Sequence, residues 1–220
     1  MKIREKNTIL SCNSLPYNNF QYFRNNDRAW IDLILSKTAL IFASIIILAA
    51  LYHLSADFQQ ADKQRQLDAI AQDFRSAIDS AGQSPHGTSS SNISYSFDAY
   101  GPEGQFTGQL DAWVSGEYVG ISYGENNRTI YAVKPLTYKT LPYNETIMRN
   151  KLLNRFSASG ELADPIVSPF NYLNVSDFLT TLGTKEKNLN TSTKVHIVKT
   201  LIHVQNGTEV RELEYVLVYQ

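Results

Sequence analysis

The sequence is poor in the residues that build disulfides and metal sites, with one cysteine (Cys12) and four histidines among 220 residues. A single cysteine forms no intramolecular disulfide, and neither a CxxC motif nor a Cys/His cluster with zinc spacing is present. Stability must therefore come from apolar burial, for which the 43% apolar content is sufficient. We expect no cofactor and no bound metal, although a calcium site assembled from separate acidic loops stays open.

Basic residues are scarce beyond the N-terminus. Residues 1–28 carry five Lys or Arg and two acids, whereas the remainder carries 15 and 19. No patch of Lys and Arg interleaved with aromatic residues occurs in that larger part, which argues against a nucleic-acid partner. A basic segment beside an apolar run is typical of the cytoplasmic side of a membrane protein, so residues 1–29 are interpreted as a cytoplasmic leader.

Formal charge is absent from Thr38 to Ala56, a stretch of 19 residues. About 20 residues span a hydrocarbon core as a helix. The apolar run extends from Ala29 to Leu54 without a polar face, whereas a helix in a globular core usually has one. We predict a transmembrane or filament-core helix over residues 30–54, in a single-pass membrane protein. Asp32 and Lys37 are charges near its start.

Proline is absent from Ser55 to Ala81, and so is glycine. Apolar residues recur there at intervals of three and four, which predicts an amphipathic helix over 55–81. Its stripe could pack on its own domain or against other subunits. The stripe consists of Leu67, Ile70, Ala71, Phe74, Ala77, Ile78 and Ala81. Residues 82–91 combine Gly, Pro and Ser and are interpreted as a linker.

The periodicity changes to two after residue 92, which predicts strands. They are NISYSFDAY, GQLDAWVS, EYVGISYG, RTIYAVKPL and a final hairpin, VHIVKTLIHV with EVRELEYVLVYQ, around Asn206-Gly207. ETIMRNKLLNRF and VSDFLTTLG predict short helices, the first capped by Asn144 and the second ending at Gly183. The expected fold class is α+β, with a long N-terminal helix followed by an antiparallel β-rich domain, a sandwich or a meander, over 92–220.

One catalytic pattern is present: Gly120–Gly124 reads GxSxG around Ser122, and acids and histidines follow in the hydrolase order. They are Asp164, Asp177, His196 and His203. A nucleophile elbow needs a parallel strand that turns into a helix, but ENN and another strand-like run follow Ser122. We therefore predict a hairpin there and no enzyme.

Histidines and tyrosines of the last hairpin are assigned to packing. His196 and His203 are seven residues apart on one predicted strand, so they point to opposite faces and do not share a metal. Tyrosines could stack sugars, but Tyr215 and Tyr219 alternate with leucines on one strand face, as sheet packing requires. We assign them to the core.

Six N-x-[ST] sequons occur beyond the apolar run, and none occurs among the six asparagines of residues 1–28. Chance predicts about two in the later part of the chain. The excess indicates exposure to a glycosylation machinery, with the N-terminus cytoplasmic and the β-rich domain extracellular. The acceptors are Asn92, Asn127, Asn144, Asn174, Asn190 and Asn206.

The junction Arg28-Ala29-Trp30, followed by the apolar helix, resembles the processing site of archaeal type IV pilin-like proteins. The resemblance implies a class III signal peptide, cleavage after Ala29 by a prepilin-type signal peptidase, and assembly with other pilin-like subunits through the N-terminal helix. Pilins often place an acid five residues into the mature chain. That position is Ile34 here, whereas Asp32 is third.

Two interpretations of Asp32 stay open. Cleavage would create an α-amino group at Trp30 that could offset the Asp32 carboxylate, in the same or the next subunit. In an uncleaved chain, Asp32 lies one turn from Arg28 in the headgroup region while Lys37 snorkels. We expect a non-catalytic surface subunit for adhesion or filament assembly. The alternative is a single-pass anchor for an extracellular binding or sensory domain of the cell envelope.

Overall fold

A computed structural model of the chain describes residues 20–85, 92–100, 106, 109–125 and 128–220, with backbone only for 20–29. The chain divides into two units, Met1–Phe58 and Gln59–Gln220. The second unit is called the head below. Most of the expected leader, most of the expected linker, and the sequon residue Asn127 lie outside the described residues.

The long helix, α1, spans Phe20–Gln83. It begins ten residues before Trp30, the first residue of the predicted membrane helix. The sequence offers a physical reason, because no proline or glycine lies between Pro16 and Gly82 to interrupt a helix.

Eight strands and two further helices follow α1 among the described residues. The strands are β1 Asn92–Tyr95, β2 Gln109–Val114, β3 Tyr118–Glu125, β4 Arg128–Pro135, β5 Thr140–Leu141, β6 Lys187–Leu189, β7 Val195–Asn206 and β8 Glu209–Tyr219. The helices are α2 Glu145–Phe156 and α3 Tyr172–Gly183, and a short 3₁₀ helix covers Asp98–Tyr100. The α+β class, with one long N-terminal helix, antiparallel-rich sheets and two short helices, is confirmed.

The strands form two four-stranded sheets in the order β1-β7-β8-β5 (sheet A) and β4-β3-β2-β6 (sheet B). Strands β2, β3 and β4 are an antiparallel meander, as the sequence predicts. The sequence did not predict the two short edge strands, β5 and β6. The pairing of β5 with β8 is parallel, which the long connection between them through α2, α3, β6 and β7 permits.

The apolar stripe of α1 packs into its own head, which decides between the two roles that its periodicity left open. Leu67, Ala71, Phe74, Ile78 and Ala81 are fully buried. They share one cluster with residues from the inner faces of both sheets, among them Ile121, Val195, Ile197, Val216 and Val218. The stripe is therefore core of the head.

Polar residues of α1 follow β4 along its length. The Gln64 amide donates to the Tyr131 carbonyl at 2.9 Å, Lys134 pairs with Asp68 at 2.9 Å, and the Thr137 amide donates to Asp79 at 3.0 Å. The three contacts follow one another in the same direction along both segments, although the rise per residue is about 1.5 Å in a helix and about 3.3 Å in a strand. Strand β4 is a sheet edge whose backbone is partly satisfied by α1.

The opposite face of sheet A carries α2 and α3 over a second apolar cluster. It contains Met148 and Leu152 of α2, Val175 and Leu179 of α3, and Tyr215 of β8. The predicted caps are confirmed: Asn144 accepts the Ile147 amide at 2.8 Å, and Gly183 is the last residue of α3.

The turn of the hairpin between β7 and β8 is shifted by one residue from the predicted position. Asn206 pairs with Glu209 at the end of the ladder, so the loop is Gly207-Thr208 rather than Asn206-Gly207. Gly207 has a φ of 65°, and Asn206 is not in the left-handed region. A two-residue loop with a positive φ at its first position alone is the II′ arrangement, which needs glycine there.

Candidate functional site

The most unusual surface is the helical stretch Trp30–Leu54, called the apolar segment below. Its large apolar side chains are exposed on every side, including Trp30 at 68%, Phe42 at 62% and Ile46 at 68%. This is the one helix among the described residues that is long and apolar enough to cross a membrane, with a mean hydropathy of 2.3 in its most apolar window. A monomer in water does not keep such a surface uncovered.

Two hydroxyl groups of the apolar segment donate to the backbone of the helix itself. The Thr38 hydroxyl donates to the Ile34 carbonyl and the Ser44 hydroxyl to the Leu40 carbonyl, each at 2.8 Å. Such bonds one turn back satisfy these two hydroxyl donors in an apolar environment. The segment therefore suits lipid, or close packing with other helices, despite these two residues.

The charges at the start of the segment are exposed. Asp32 and Lys37 both point away from protein, and neither makes an ion pair with any residue that the structure describes. Five residues along a helix correspond to about 140° of rotation, so the two charges lie on different sides of α1. The two charges therefore do not pair with each other.

The expected processing site lies within helical backbone. Arg28, Ala29 and Trp30 are all part of α1, with helical residues on both sides. Trp30 is the first of them whose side chain is described, and it is largely exposed.

The acceptor asparagines of the sequons lie on separate elements of the head. Asn92, Asn174, Asn190 and Asn206 are exposed, and Asn144 is half-buried because it caps α2. Asn174 takes part in the capping box of α3, in which its side-chain oxygen accepts the Asn171 amide at 3.2 Å. In the cap of α2 the side-chain oxygen of Asn144 is the acceptor, so its amide nitrogen is not used in that bond.

The GxSxG motif does not have the strand–turn–helix geometry of a nucleophile elbow. Ser122 lies in the middle of β3, paired with Asp111 of β2 and Tyr131 of β4, and it is buried in an antiparallel sheet. The two histidines that follow it in sequence lie on β7, which belongs to the other sheet. The structure does not assemble the hydrolase order of residues at one place.

Histidine and tyrosine positions in the last hairpin follow strand alternation. His196 is exposed and stacks on Tyr219 with ring centroids 5.4 Å apart, whereas His203 is buried with its Nε2 atom 3.4 Å from Glu212. The prediction that they point to opposite faces is confirmed. Tyr215 is buried among the second cluster, as predicted. No group of three metal-ligating side chains comes together within the described ranges.

The exposed carboxylate of Asp73 on α1 links the helix to β1 and to the short 3₁₀ helix. Asp73 accepts hydrogen bonds from the hydroxyls of Tyr95 at 2.9 Å and Tyr100 at 3.2 Å. Burial, reinforced by the bond to Asp73, raises the pKa of Tyr95 far above its ordinary value. Both tyrosines therefore stay protonated donors at neutral pH, and they fix β1 to the helix.

Sequence reasoning did not identify the outward face of sheet B. Trp113 and Tyr131 lie there with their rings in edge contact, at a centroid distance of 6.4 Å. The available signal was the alternation in β2 and β4, which places both residues on the face opposite the buried Ala112 and Ala132. The register between strands, which brings the two rings together, was not readable from one sequence.

Comparison with protein-family models, with curated proteins and with solved structures gave no match to this chain. The described residues form an α+β fold, and its long N-terminal helix contains a candidate membrane span.

Proposed function

We propose that the chain is a pilin-like subunit of the cell surface, with a structural role in adhesion or filament assembly and no catalytic role. The leader is removed after Ala29, the apolar segment sits in the membrane until assembly, and the head is extracellular and glycosylated. After assembly the same segment packs against the corresponding helices of other subunits.

The observation that carries this proposal is the exposure of the apolar segment in a chain whose head has a packed core. Side chains from Trp30 to Leu54 are uncovered, whereas the α1 stripe from Leu67 to Ala81 is buried in the head. A surface of this kind is covered by lipid or by copies of itself. A head-to-tail contact that does not close into a ring generates a filament.

The charge pattern supports the proposed orientation. The basic residues of 1–28 favour a cytoplasmic N-terminus, and the sequons all lie beyond the segment. Acceptors on exposed positions of the head, such as Asn92 and Asn206, are accessible to glycan attachment.

Cleavage would give Asp32 a partner. A carboxylate at the centre of a membrane costs about 2.5 to 3.5 kcal/mol on insertion scales, and a neighbouring α-amino group reduces that cost. Removal of the leader places such a group at Trp30, two residues from Asp32 in the same chain, and it is equally available to an adjacent subunit.

The second candidate function is a permanent single-pass anchor whose head binds a component of the cell envelope. One observation favours it. Helix α1 begins at Phe20 and continues without a break through Arg28, Ala29 and Trp30. A continuous helix presents no extended backbone to a peptidase at that position, and an uncleaved chain would keep it intact.

Sequencing the N-terminus of the protein purified from its native membrane tests the proposal. We expect a start at Trp30 and an intact mass that lacks residues 1–29. Arg28→Gln should cause a heavier precursor to accumulate, whereas Arg24→Gln, which removes a charge outside the junction, should be processed normally. A native chain that still carries Met1 or Lys2, with no effect of Arg28→Gln, would favour the anchor instead.

A further inference from the structure

The outward face of sheet B presents aromatic rings beside small residues. The cross-strand rows are Trp113–Gly120–Val133 and Asp111–Ser122–Tyr131, and these six residues are called the platform below. Tyr131 is 59% exposed and Val133 is 50% exposed. Ser122 and Gly120 are buried at the centre, where they have little or no side chain to project outward.

The indole of Trp113 lies over the backbone of Gly120. A Cβ atom placed on Gly120 would be 2.1 Å from Cε2 and Cζ2 of the indole and 2.6 Å from Nε1. The ring therefore occupies the position of the missing side chain and covers the sheet. The ring of Tyr131 meets it at an interplanar angle of 70°. The result is a ring surface held in place by backbone, with low conformational freedom.

Hydrogen-bonding groups, among them two carboxylates, surround these rings. Asp111 accepts from the Gln109 amide at 2.9 Å, and the Tyr118 hydroxyl donates to Glu186 at the same side of the sheet. Asn188 of β6 is paired with Trp113. Alternation places no Lys or Arg of the described strand residues on this face, which makes it unsuited to a phosphate or another polyanion.

The area of this sheet face distinguishes a small ligand from a protein partner. Four strands and six residues of strand length correspond to about 14 Å by 20 Å, or about 300 Å². A stable protein–protein interface buries about 800 Å² on each partner, so this face is too small for one. An area of that size accommodates about two or three ring-sized units of a small ligand.

We propose that the platform binds neutral hexopyranose units, namely those of an N-linked glycan carried by another copy of this chain. The C–H face of a pyranose ring is flat and weakly positive, which suits the negative face of an indole or phenol ring. Its hydroxyls donate to carboxylates such as Asp111 and accept from amides such as Gln109 and Asn188.

The sequons of the chain are the reason for proposing an N-linked glycan of another copy as the ligand. Five sequon acceptors lie on described residues of the head, and none of them belongs to the platform. Adjacent copies would therefore bring attached sugars and platforms together. This inference rests on the proposed function, because it requires that the head is glycosylated and that copies lie side by side.

Tryptophan fluorescence offers a direct test on the full-length protein in detergent micelles. The chain has two tryptophans, Trp30 and Trp113, so a Trp30→Phe background reports the platform alone. Intact mass of the native protein first establishes whether it carries glycans. The probe is the oligosaccharide pool released chemically from the purified protein, titrated into enzymatically deglycosylated Trp30→Phe protein. We expect a saturable change of the Trp113 emission.

Two variants provide the comparison. Tyr131→Ala removes an exposed ring without opening the core and should weaken binding by about tenfold, as expected for loss of one aromatic contact. Tyr172→Ala, an exposed tyrosine on α3, should leave binding unchanged. A Trp113 emission that does not respond to the released glycans, or equal affinity in Tyr131→Ala, would overturn the proposal.

Two further outcomes would also refute the proposal. Association of deglycosylated copies that Tyr131→Ala disrupts would make the platform a protein contact and would refute the glycan assignment. Intact mass without any glycan would refute the proposed glycosylation itself, and it would do so before the binding experiment begins.

Discussion

At the scale of single residues, Gly120 shows how a missing side chain determines a surface. Its place is taken by the indole of Trp113, and the nearby Gly124 has open space above it. Both glycines lie on β3 and belong to the same GxSxG sequence. The GxSxG pattern does not distinguish the two glycines. Their surroundings differ because different residues of β2 lie opposite them.

Substitution of the two glycines should therefore give different results. Gly120→Ala forces the indole away and should destabilise the head by about 1 to 3 kcal/mol, as overpacking does. Gly124→Ala meets no atom within 4 Å and should change stability by less than about 0.5 kcal/mol. Urea unfolding of the full-length protein in detergent would measure both. Equal stability of the two variants would contradict the close contact.

Tyr95 provides a second prediction at this scale, in alkaline solution. Its folded pKa is raised by burial and by Asp73, so above about pH 10 the unfolded chain releases a proton that the folded chain retains. Stability is then unaffected below that pH and falls above it, by at most about 1.4 kcal/mol per pH unit from this group.

The measurement compares urea unfolding between pH 8 and pH 11 for the wild type and Tyr95→Phe. We expect the free energy of unfolding to decline less steeply with pH in Tyr95→Phe. The variant lacks the hydroxyl that stays protonated in the folded state and ionises in the unfolded state. Tyr172→Phe, an exposed position, is the control and should follow the wild type. Parallel curves for the wild type and Tyr95→Phe would show that Tyr95 ionises without unfolding the head.

At the scale of elements, the regular features were predictable and the pairings were not. Periodicity predicted α1, α2, α3 and the long strands, since each carries its pattern within a few residues. Strand β5 has two residues and β6 has three, too short for any pattern. Their existence depends on partners distant in the chain, β8 and β2, and such contacts are invisible to local reasoning.

The candidate site was predictable to a similar degree. The apolar segment follows from composition alone, because its signal needs no tertiary partner. The early start of α1 at Phe20 was missed because polarity was used as the criterion, whereas helix continuity depends on the absence of proline and glycine.

Helix α2 offers a prediction that separates capping from glycosylation, since Asn144 is both the N-cap of α2 and the first residue of a sequon. Asn144→Ala removes the cap and the sequon and should destabilise the head by about 1 kcal/mol. Asn144→Asp keeps the acceptor for the Ile147 amide and removes only the sequon, so it should unfold as the wild type does. Thermal or urea unfolding would provide the comparison.

Thr146→Ala is the matched control, because it abolishes the sequon and leaves Asn144 in place. A glycan at this site would appear as a mass loss in all three variants, with destabilisation in Asn144→Ala alone. Destabilisation shared by all three would instead show that the attached sugar, and not the cap, stabilises α2.

At the scale of the whole molecule, the proposed orientation can be tested with the single cysteine. Cys12 should be protected from a membrane-impermeant maleimide in intact cells, because the proposed orientation places residues 1–29 in the cytoplasm. If the leader is removed, the mature chain has no cysteine and remains unlabelled even after lysis.

A cysteine introduced into the head completes the experiment. Lys185→Cys in a Cys12→Ser background places a thiol at an exposed position outside every sequon, and it should react in intact cells. Reaction of this thiol only after lysis would put the head inside the cell and end the surface assignment.

The burial of the α1 stripe has a consequence for biosynthesis. Ile78 packs in the same cluster as Val218, so the helix leaves the ribosome long before its last partners exist. At 5 to 20 residues per second, the intervening 140 or so residues take about 7 to 28 seconds to translate. Throughout that interval the apolar stripe lacks its packing partners, so nascent chains need a chaperone or prompt membrane insertion to avoid aggregation.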